Sequence, residues 1–284
     1  MRRSRGYTTS EAFRTALEER LTKIAREEGI DLQRIRRQVA FDRLLARLAL
    51  APGNPWVLKG GYAMELRYRM ARSTKDLDFT VRLVPGAAGR KDRLLQLLQE
   101  AASADLNDFF TYRIGEATID IDGAPYGGAR HPVEAVLSGR TFARFHLDIG
   151  LGELVLEPAE TIRCRDWLGF AHIRAPDVPI ISREQQFAEK LHAYTLPRTV
   201  APNSRVRDLV DMVLLIDSGT LSLERTKEAI VLTFRHRGTH EVPTALEPPR
   251  RDWEGPFRAL AAECGLPTDL AAALKAVDTF HRSL

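Results

Sequence analysis

Apolar positions along the chain recur first at helical and then at strand spacing. Phe13, Leu17, Leu21 and Ile24 lie three or four apart, which predicts a helix over 10–28 with Ser10 as its cap. A second helix is predicted over 33–50, with Ile35, Val39, Leu44 and Leu48 on or near one face and Pro52, Gly53 and Pro55 ending it. The period then shortens. Trp56-Val57-Leu58 reads as a strand, Gly60-Gly61 as the turn after it, and Tyr62 to Arg69 as a helix. From Asp76 to Val81 side chains alternate, as in a strand with one buried face. Pro85 to Gly89 reads as a loop, and 91–103 as a helix carrying Leu94, Leu97 and Leu98. Residues 109–122, ending in Ile119-Asp120-Ile121-Asp122, and 142–157, with Phe142, Phe145, Leu147 and Ile149, are strand-rich.

Past Pro179 the pattern turns helical. Ser182, followed three residues later by Gln185, forms a capping-box pattern, and the helix it opens carries Phe187, Leu191 and Tyr194 before stopping at Pro197. Further helices are predicted at 205–217, closed by Gly219, and at 222–233, 252–263 and 268–280. Pro158, Pro176 and Pro179 mark connections and place a lobe boundary within 160–180. The predicted architecture is α/β (α+β). A lobe with a mixed or antiparallel sheet and two N-terminal helices spans 1–165, and a mainly helical lobe spans 166–284.

With 284 residues, 44% of them apolar, the chain can bury a core in each of two lobes. The formal charge of +4 and a pI near 9.2 permit an anionic partner without requiring one. Charge is uneven, however: residues 1–47 hold twelve Arg or Lys against seven Asp or Glu, densest at Arg34, Arg36 and Arg37. That cluster reads equally as a patch for nucleic-acid phosphates and as a solvated helix surface. Two isolated cysteines, Cys164 and Cys264, make neither a disulfide framework nor a C-x-x-C motif, so a reducing, cytoplasmic setting is expected. The N-terminus has basic residues but no apolar core of a signal peptide, and no run of about 18 apolar residues suggests a membrane span.

Candidate chemistry centres on carboxylates. Asp76 and Asp78 stand two apart on a predicted strand, so both point from one face and repel unless positive charge sits between them. Mg²⁺, with Mn²⁺ as the alternative, supplies that charge and prefers carboxylate and phosphate oxygens. Fifteen residues upstream of Asp76, Gly61 closes the Gly60-Gly61 pair at a strand-to-helix junction, where backbone N–H groups and the helix amino end can hold phosphate. Asp148 lies inside an apolar strand, where an unpaired charge is costly, and can be a third carboxylate for a two-metal site. Asp120 and Asp122 form a second D-x-D and compete for that role. Lys190 sits beside an apolar stripe and reads either as a phosphate ligand or as a snorkelling surface lysine. Asp211 has Arg207 four residues before it, the spacing of a helix-face ion pair. His236 and His240 lack the intervening Glu of H-E-x-x-H and read as surface or packing residues.

Four stretches together resemble the AbiEii/AbiGii-type nucleotidyltransferase toxins, a MenT-like branch of the DNA polymerase β-like nucleotidyltransferase superfamily. They are Lys59-Gly60-Gly61-Tyr62-Ala63-Met64, Arg72-Ser73-Thr74-Lys75-Asp76-Leu77-Asp78-Phe79, Phe145-His146-Leu147-Asp148-Ile149, and Phe187-Ala188-Glu189-Lys190-Leu191-His192-Ala193 paired with Arg205 through Asp211. The resemblance implies a polymerase β-like sheet lobe with a helical lobe that contributes Lys190 and Asp211. It implies Asp76 and Asp78 as the metal-binding pair, Lys190 on nucleotide phosphate, Asp211 in an essential role, and Asp148 rather than Asp120 or Asp122 as the sheet carboxylate. The superfamily often has Gly-Ser in the first motif. Here the second position is Gly61, so backbone N–H groups or Thr74 must replace a serine hydroxyl. Arg207 stands where many members have lysine, which turns a point charge into a fork.

The implied function is a toxin of a two-gene toxin–antitoxin system that moves an NMP from an NTP to the tRNA 3′ end and blocks translation. The implied partners are NTP, the tRNA acceptor end and a cognate antitoxin protein. Three rivals keep part of the signal. A protein-directed nucleotidyltransferase needs the same nucleotide site, a metal-dependent nuclease needs the carboxylates but not Gly60-Gly61 or Lys190, and a non-enzymatic nucleic-acid binder uses only the basic N-terminus. A kinase lacks support, since neither a P-loop nor a protein-kinase motif set occurs.

Overall fold

The computed structural model describes residues 6–51, 53–81, 90–120, 127–198 and 202–284. Pro52, the loop expected at Pro85 to Gly89, and Ile121 and Asp122 lie outside them. The chain forms two compact units, neither continuous in sequence. The first comprises Met1–Tyr62, Ser73–Gly152 and Thr161–Ile180, and the second comprises Ala63–Arg72, Glu153–Glu160 and Ile181–Leu284.

In the first unit, helix α1 (Ser10–Glu28) is capped by Thr9, whose hydroxyl accepts from the Ala12 N–H at 3.2 Å. Ser10, expected as the cap, is already helical. Gly29 ends α1 in the left-handed region at φ 65°, a conformation glycine adopts without a Cβ penalty. Helix α2 (Leu32–Leu48) starts at Asp31, which caps the Arg34 N–H at 2.8 Å. Strand β1 (Trp56–Lys59) runs directly into α3 (Gly60–Arg67), so the glycine pair forms the first turn of the helix rather than a separate turn. Strand β2 (Asp76–Val81), helix α4 (Arg90–Ala102) and strands β3 (Phe110–Ile114), β4 (Ile119–Asp120), β5 (Gly128–Leu137), β6 (Arg140–Gly150), β7 (Glu160–Arg163) and β8 (Asp177–Ile180) follow.

The sheet is mixed, in the order β3-β5-β6-β2-β1-β8-β7, with β4 also on β5. β2 runs antiparallel to β1 and parallel to β6, and β5 is antiparallel to β3, β4 and β6. Alternation orients β2: Leu77 and Phe79 are buried, while Asp76 and Asp78 are only partly covered. Likewise Leu147 and Ile149 of β6 are fully buried. Phe41 of α2 meets the rings of both Tyr62 and Phe145 at 4.8 Å, edge on.

Three strands, β5, β7 and β8, escaped the sequence reading, β5 and β8 for a shared reason. β5 contains Pro132 and β8 contains Pro179, and proline normally argues against a ladder position. Pro132 falls in the gap between β3, which ends at Ile114, and β4, which begins at Ile119, and its carbonyl still accepts from Gly115 at 2.9 Å. β8 is a four-residue strand lying parallel to β1, with Leu58 opposite Ile180.

The second unit packs α5 (Arg183–Thr195), α6 (Val206–Asp217), α7 (Leu223–Arg237), α8 (Glu254–Glu263) and α9 (Leu270–Arg282) around Phe187, Leu191, Leu209, Met212, Leu215, Phe234, Phe257 and Val277. Ser182 caps α5 by accepting from the Gln185 N–H at 3.1 Å. The Gln185 side chain does not close the box. It donates instead to the Leu154 carbonyl at 2.7 Å and tethers the 153–160 segment. Cys164 and Cys264 are both buried and free. Among the described residues, no helix is long and apolar enough to cross a membrane.

Candidate active site

Strand register assembles a row of charged residues on one face of the sheet. Lys59 of β1 stands opposite Asp78 of β2, Asp78 beside Asp148 of β6, and Asp148 opposite Arg130 of β5. One step along, Asp76 is beside His146. Directly paired residues project to the same side of a sheet, so three carboxylates share this face with Lys59 and Arg130. Arg130 grips Asp148 with both arms of its fork: Nε donates to Oδ1 at 2.7 Å and a terminal nitrogen donates to Oδ2 at 2.6 Å. The same terminal nitrogen lies 3.8 Å from Asp76 Oδ2. The Asp148 hydrogen bonds, foremost, raise the Arg130 pKa above its ordinary value against the cost of partial burial, and the Asp76 and Asp78 charges add to the effect. His146 Nδ1 is 3.2 Å from Asp76 Oδ1.

The glycine pair is built against this face. Gly60 has φ 65°, and a Cβ placed there would lie 2.5 Å from Asp78 Cγ and 2.8 Å from its Cβ. A Cβ on Gly61 would lie 2.8 Å from Thr74 Oγ1 and 2.9 Å from Thr74 Cβ. Glycine is therefore required at both positions by side chains of the Asp76 segment, and the helix start meets Asp78 and Thr74 with backbone alone. Tyr62, two residues on, is anchored by its hydroxyl on buried Asp42 at 2.5 Å, whose second oxygen accepts from Trp167 Nε1 at 2.9 Å.

The second unit holds Lys190 and Asp211 in one buried ion cluster. Asp211, on α6, accepts from Arg72 Nε at 2.9 Å, from an Arg72 terminal nitrogen at 2.7 Å and from Lys190 Nζ at 2.6 Å. Lys190, on α5, also donates to Asp208 at 3.2 Å. Burial opposes ionisation of Asp211, but the Lys190 and Arg72 charges outweigh it and hold its pKa below the usual carboxylate range. Burial equally opposes a charged Lys190, and Asp211 and Asp208 outweigh it and raise its pKa. Lys190 is thus a buried, charged lysine rather than a snorkelling one. Asp211 pairs with Arg72 and Lys190, whereas Arg207 is exposed.

Other expectations meet a more ordinary fate. Arg36 donates to Glu18 at 2.9 and 2.6 Å, and Arg37 donates to Ser73 Oγ at 3.3 Å, so the basic cluster of α2 is partly committed inside the chain. His240 packs against the ring of His192 at 4.7 Å and bonds Thr195 at 2.9 Å. Asp120 lies on β4. Arg72 and Arg130 carried no role in the sequence reading. For Arg72 the available signal was its place next to the D-x-D segment, and for Arg130 it was the need of Asp148 for a cation.

The donor set fits a hard cation in part. Asp76 and Asp78 offer carboxylate oxygens from one face, the type that Mg²⁺ prefers. Asp148, expected as a third metal ligand, does not fit as it stands, because both of its oxygens accept from Arg130. Among the described residues, no group of three or more His, Cys, Asp or Glu is arranged to hold a metal ion.

Comparison with solved structures places the fold beside the nucleotidyltransferase toxin MenT4 of Mycobacterium tuberculosis H37Rv. The TM-score is 0.59 at 20% identity, over 93% of this chain and 90% of that one. JHP933 of Helicobacter pylori matches at a TM-score of 0.47 and 17% identity, over 89% of this chain and 97% of that one. Comparison with curated proteins gives no match. The model of the AbiEii family, described as the nucleotidyl transferase AbiEii toxin of type IV toxin–antitoxin systems, matches residues 43–281. The chain therefore belongs to the AbiEii family and is a nucleotidyltransferase toxin of a type IV toxin–antitoxin system, with a nucleoside triphosphate as substrate and a cognate antitoxin as partner.

Proposed function

We propose that this toxin transfers an NMP from an NTP to the 3′ end of tRNA, with Asp76 and Asp78 holding the divalent ion. The observation that carries the site assignment is the fit of Gly60 against Asp78: a helix start of the kind that can hold phosphate meets the Asp78 carboxylate with no side chain of its own between them. A divalent ion on that pair would neutralise charge on the triphosphate. Gly60, Gly61 and Thr74 are assigned to the phosphates, through backbone N–H groups and one hydroxyl. Lys190 is assigned to nucleotide phosphate as well. Support for that role comes from Asp211 and Asp208, which keep it charged. In the reaction the acceptor hydroxyl oxygen bonds to the α-phosphorus and the bond to the β-phosphate bridge breaks. Pyrophosphate leaves, and the hydroxyl proton passes to water.

A polyanionic acceptor is favoured by the groove beside Asp76. Its volume is about 730 Å³, and its lining includes Lys75, Arg113, Arg130 and Arg144 against Asp76 and Glu134. Glu134 bridges Arg113 at 3.1 Å and Arg144 at 2.7 Å, so one carboxylate serves two guanidinium groups and a cationic excess remains. The α2 arginines, partly committed to Glu18 and Ser73, are the weaker candidates for an RNA track. Incubation with each NTP, Mg²⁺ and total tRNA, followed by mass analysis of the RNA, tests the proposal. Addition of one or more NMP units by the wild type but not by Asp78→Asn supports it. Label on protein and never on RNA redirects it to a protein acceptor, and shortened RNA marks a nuclease.

A further inference from the structure

The carboxylate row is closed by a cation of the chain's own. Register fixes Lys59, Asp78, Asp148 and Arg130 side by side across β1, β2, β6 and β5, a cation at each end and two carboxylates between. Adjacent carboxylates repel unless a positive charge intervenes, and at Asp148 that charge is covalently part of β5. The grip is bidentate, at 2.7 and 2.6 Å, and the Asp148 side chain is only 15% exposed. A metal ion on Asp148 would have to take oxygens from a guanidinium that would stay within a few ångströms of it, cation against cation. Releasing Arg130 would surrender two charge-assisted hydrogen bonds at a partly buried pair. Nor does Arg130 act on Asp148 alone, since it also stands 3.8 Å from Asp76.

We propose that Arg130 takes the cation position beside Asp148 and withholds that carboxylate from metal, so that the chain binds its divalent ion through Asp76 and Asp78 only. Arg130 is thereby a positioning residue that sets how many carboxylates the ion can use. The proposal rests on the reading of Asp76 and Asp78 as metal ligands. It predicts that removing the guanidinium creates a third ligand where the wild type has two.

Binding of Mn²⁺ alone, read from the loss of the free-ion electron paramagnetic resonance signal, tests this without any turnover. Arg130→Gln is expected to bind Mn²⁺ about tenfold more tightly than wild type, or to add a second ion, since one carboxylate is gained and one cation lost. In Arg130→Gln/Asp148→Asn that gain should vanish. An Arg130→Gln protein that binds Mn²⁺ no better than wild type overturns the proposal. So does a double variant that keeps the gain, because relief of repulsion rather than a freed Asp148 would then explain it. Should Arg130→Gln not fold, Arg130→Lys keeps the charge and loses the two-point grip. It is expected to show a smaller gain, and wild-type affinity there overturns the proposal equally. Asp78→Asn separates the two levels: if it binds Mn²⁺ as well as wild type does, the metal reading of the pair fails first and takes this inference with it.

Discussion

Replacing Asp211 by Asn should cost the second unit far more stability than an isosteric change suggests. The side chain is 1% exposed and accepts three hydrogen bonds, two from Arg72 and one from Lys190, each of which is itself 8% exposed. Asparagine offers one neutral acceptor oxygen, so two buried cations lose their shared counter-charge. Lys190 keeps Asp208 at 3.2 Å as an ion pair, whereas among the described residues Arg72 keeps only the more distant charge of Asp208. Removing one partner of a buried ion pair typically costs about 3–5 kcal/mol, which for a chain of this size lowers the melting temperature by roughly 6–20 °C. Lys190→Met should cost less, about 1.5–3 kcal/mol, because Asp211 retains both Arg72 bonds. Differential scanning calorimetry and urea unfolding followed by circular dichroism check the order. Acid adds a second signature. The folded pKa of Asp211 is depressed, so its stabilisation is full above the unfolded carboxylate value and is lost as pH falls through the folded one. The Asn variant should lack that acid-sensitive component. A variant melting within about 2 °C of wild type, or a Lys190→Met protein less stable than Asp211→Asn, would refute the reasoning. Loss of activity in either variant speaks to catalysis only when transfer is measured below its unfolding transition.

Asp76→Asn and Asp78→Asn should each abolish nucleotide transfer while changing unfolding free energy by no more than about 1 kcal/mol, since a crowded carboxylate face loses repulsion with either change; urea midpoints and product analysis check both halves. Gly60→Ala places a methyl group 2.5 Å from Asp78 Cγ at φ 65°, and should displace Asp78, with lost transfer and about 1–3 kcal/mol of destabilisation; normal activity would show that the fit is not tight. Burial pushes Asp42 up to about 7 from 3.8, against hydrogen bonds from Tyr62, Cys164 and Trp167. The folded state thus holds an extra proton between those values, and the associated stability, on the order of 4 kcal/mol, is full below the lower value and lost as pH rises through the higher one. Asp42→Asn should flatten that decline between about pH 4 and 7 in urea unfolding. Arg113→Glu/Arg144→Glu should weaken tRNA modification strongly and NTP binding little, and should reduce the salt dependence of RNA binding measured by filter retention; an unchanged salt slope removes the groove from the acceptor path.

How much of this was legible in the sequence follows the reach of each rule. Helices α1, α5 and α6 were legible because a repeat of three and four needs no partner to be seen, and β2 because Leu77 and Phe79 alternate with Asp76 and Asp78. Proline hid β5 and β8. The rule against proline in a ladder holds only where the neighbouring strand requires its N–H, and Pro132, still paired with His146 of β6, turns its nitrogen to the side where it falls in the gap between β3 and β4. Ser10 lost the cap of α1 to Thr9 by a single residue, within the usual uncertainty of helix ends.

The charged residues show a deeper asymmetry. Asp148 stood in an apolar strand and Asp211 in an apolar helix, so each visibly needed a cation. The sequence offers local partners by spacing, and for Asp211 spacing pointed to Arg207. Yet Arg207 is an exposed residue of the first turn of α6, and a cation that keeps its hydration there compensates a fully buried carboxylate poorly. The partners that serve are those buried with it. Arg72 comes from 139 residues away and Lys190 from 21, and Arg130 reaches Asp148 from a strand that no periodicity announced. A buried carboxylate therefore predicts the existence of a cation from sequence alone, while its identity waits on topology. The same limit applies to metal sites. Asp76, Asp78 and Asp148 share one face as their spacing and strand setting allowed, but that both oxygens of Asp148 are taken by Arg130 follows only from the β5–β6 register.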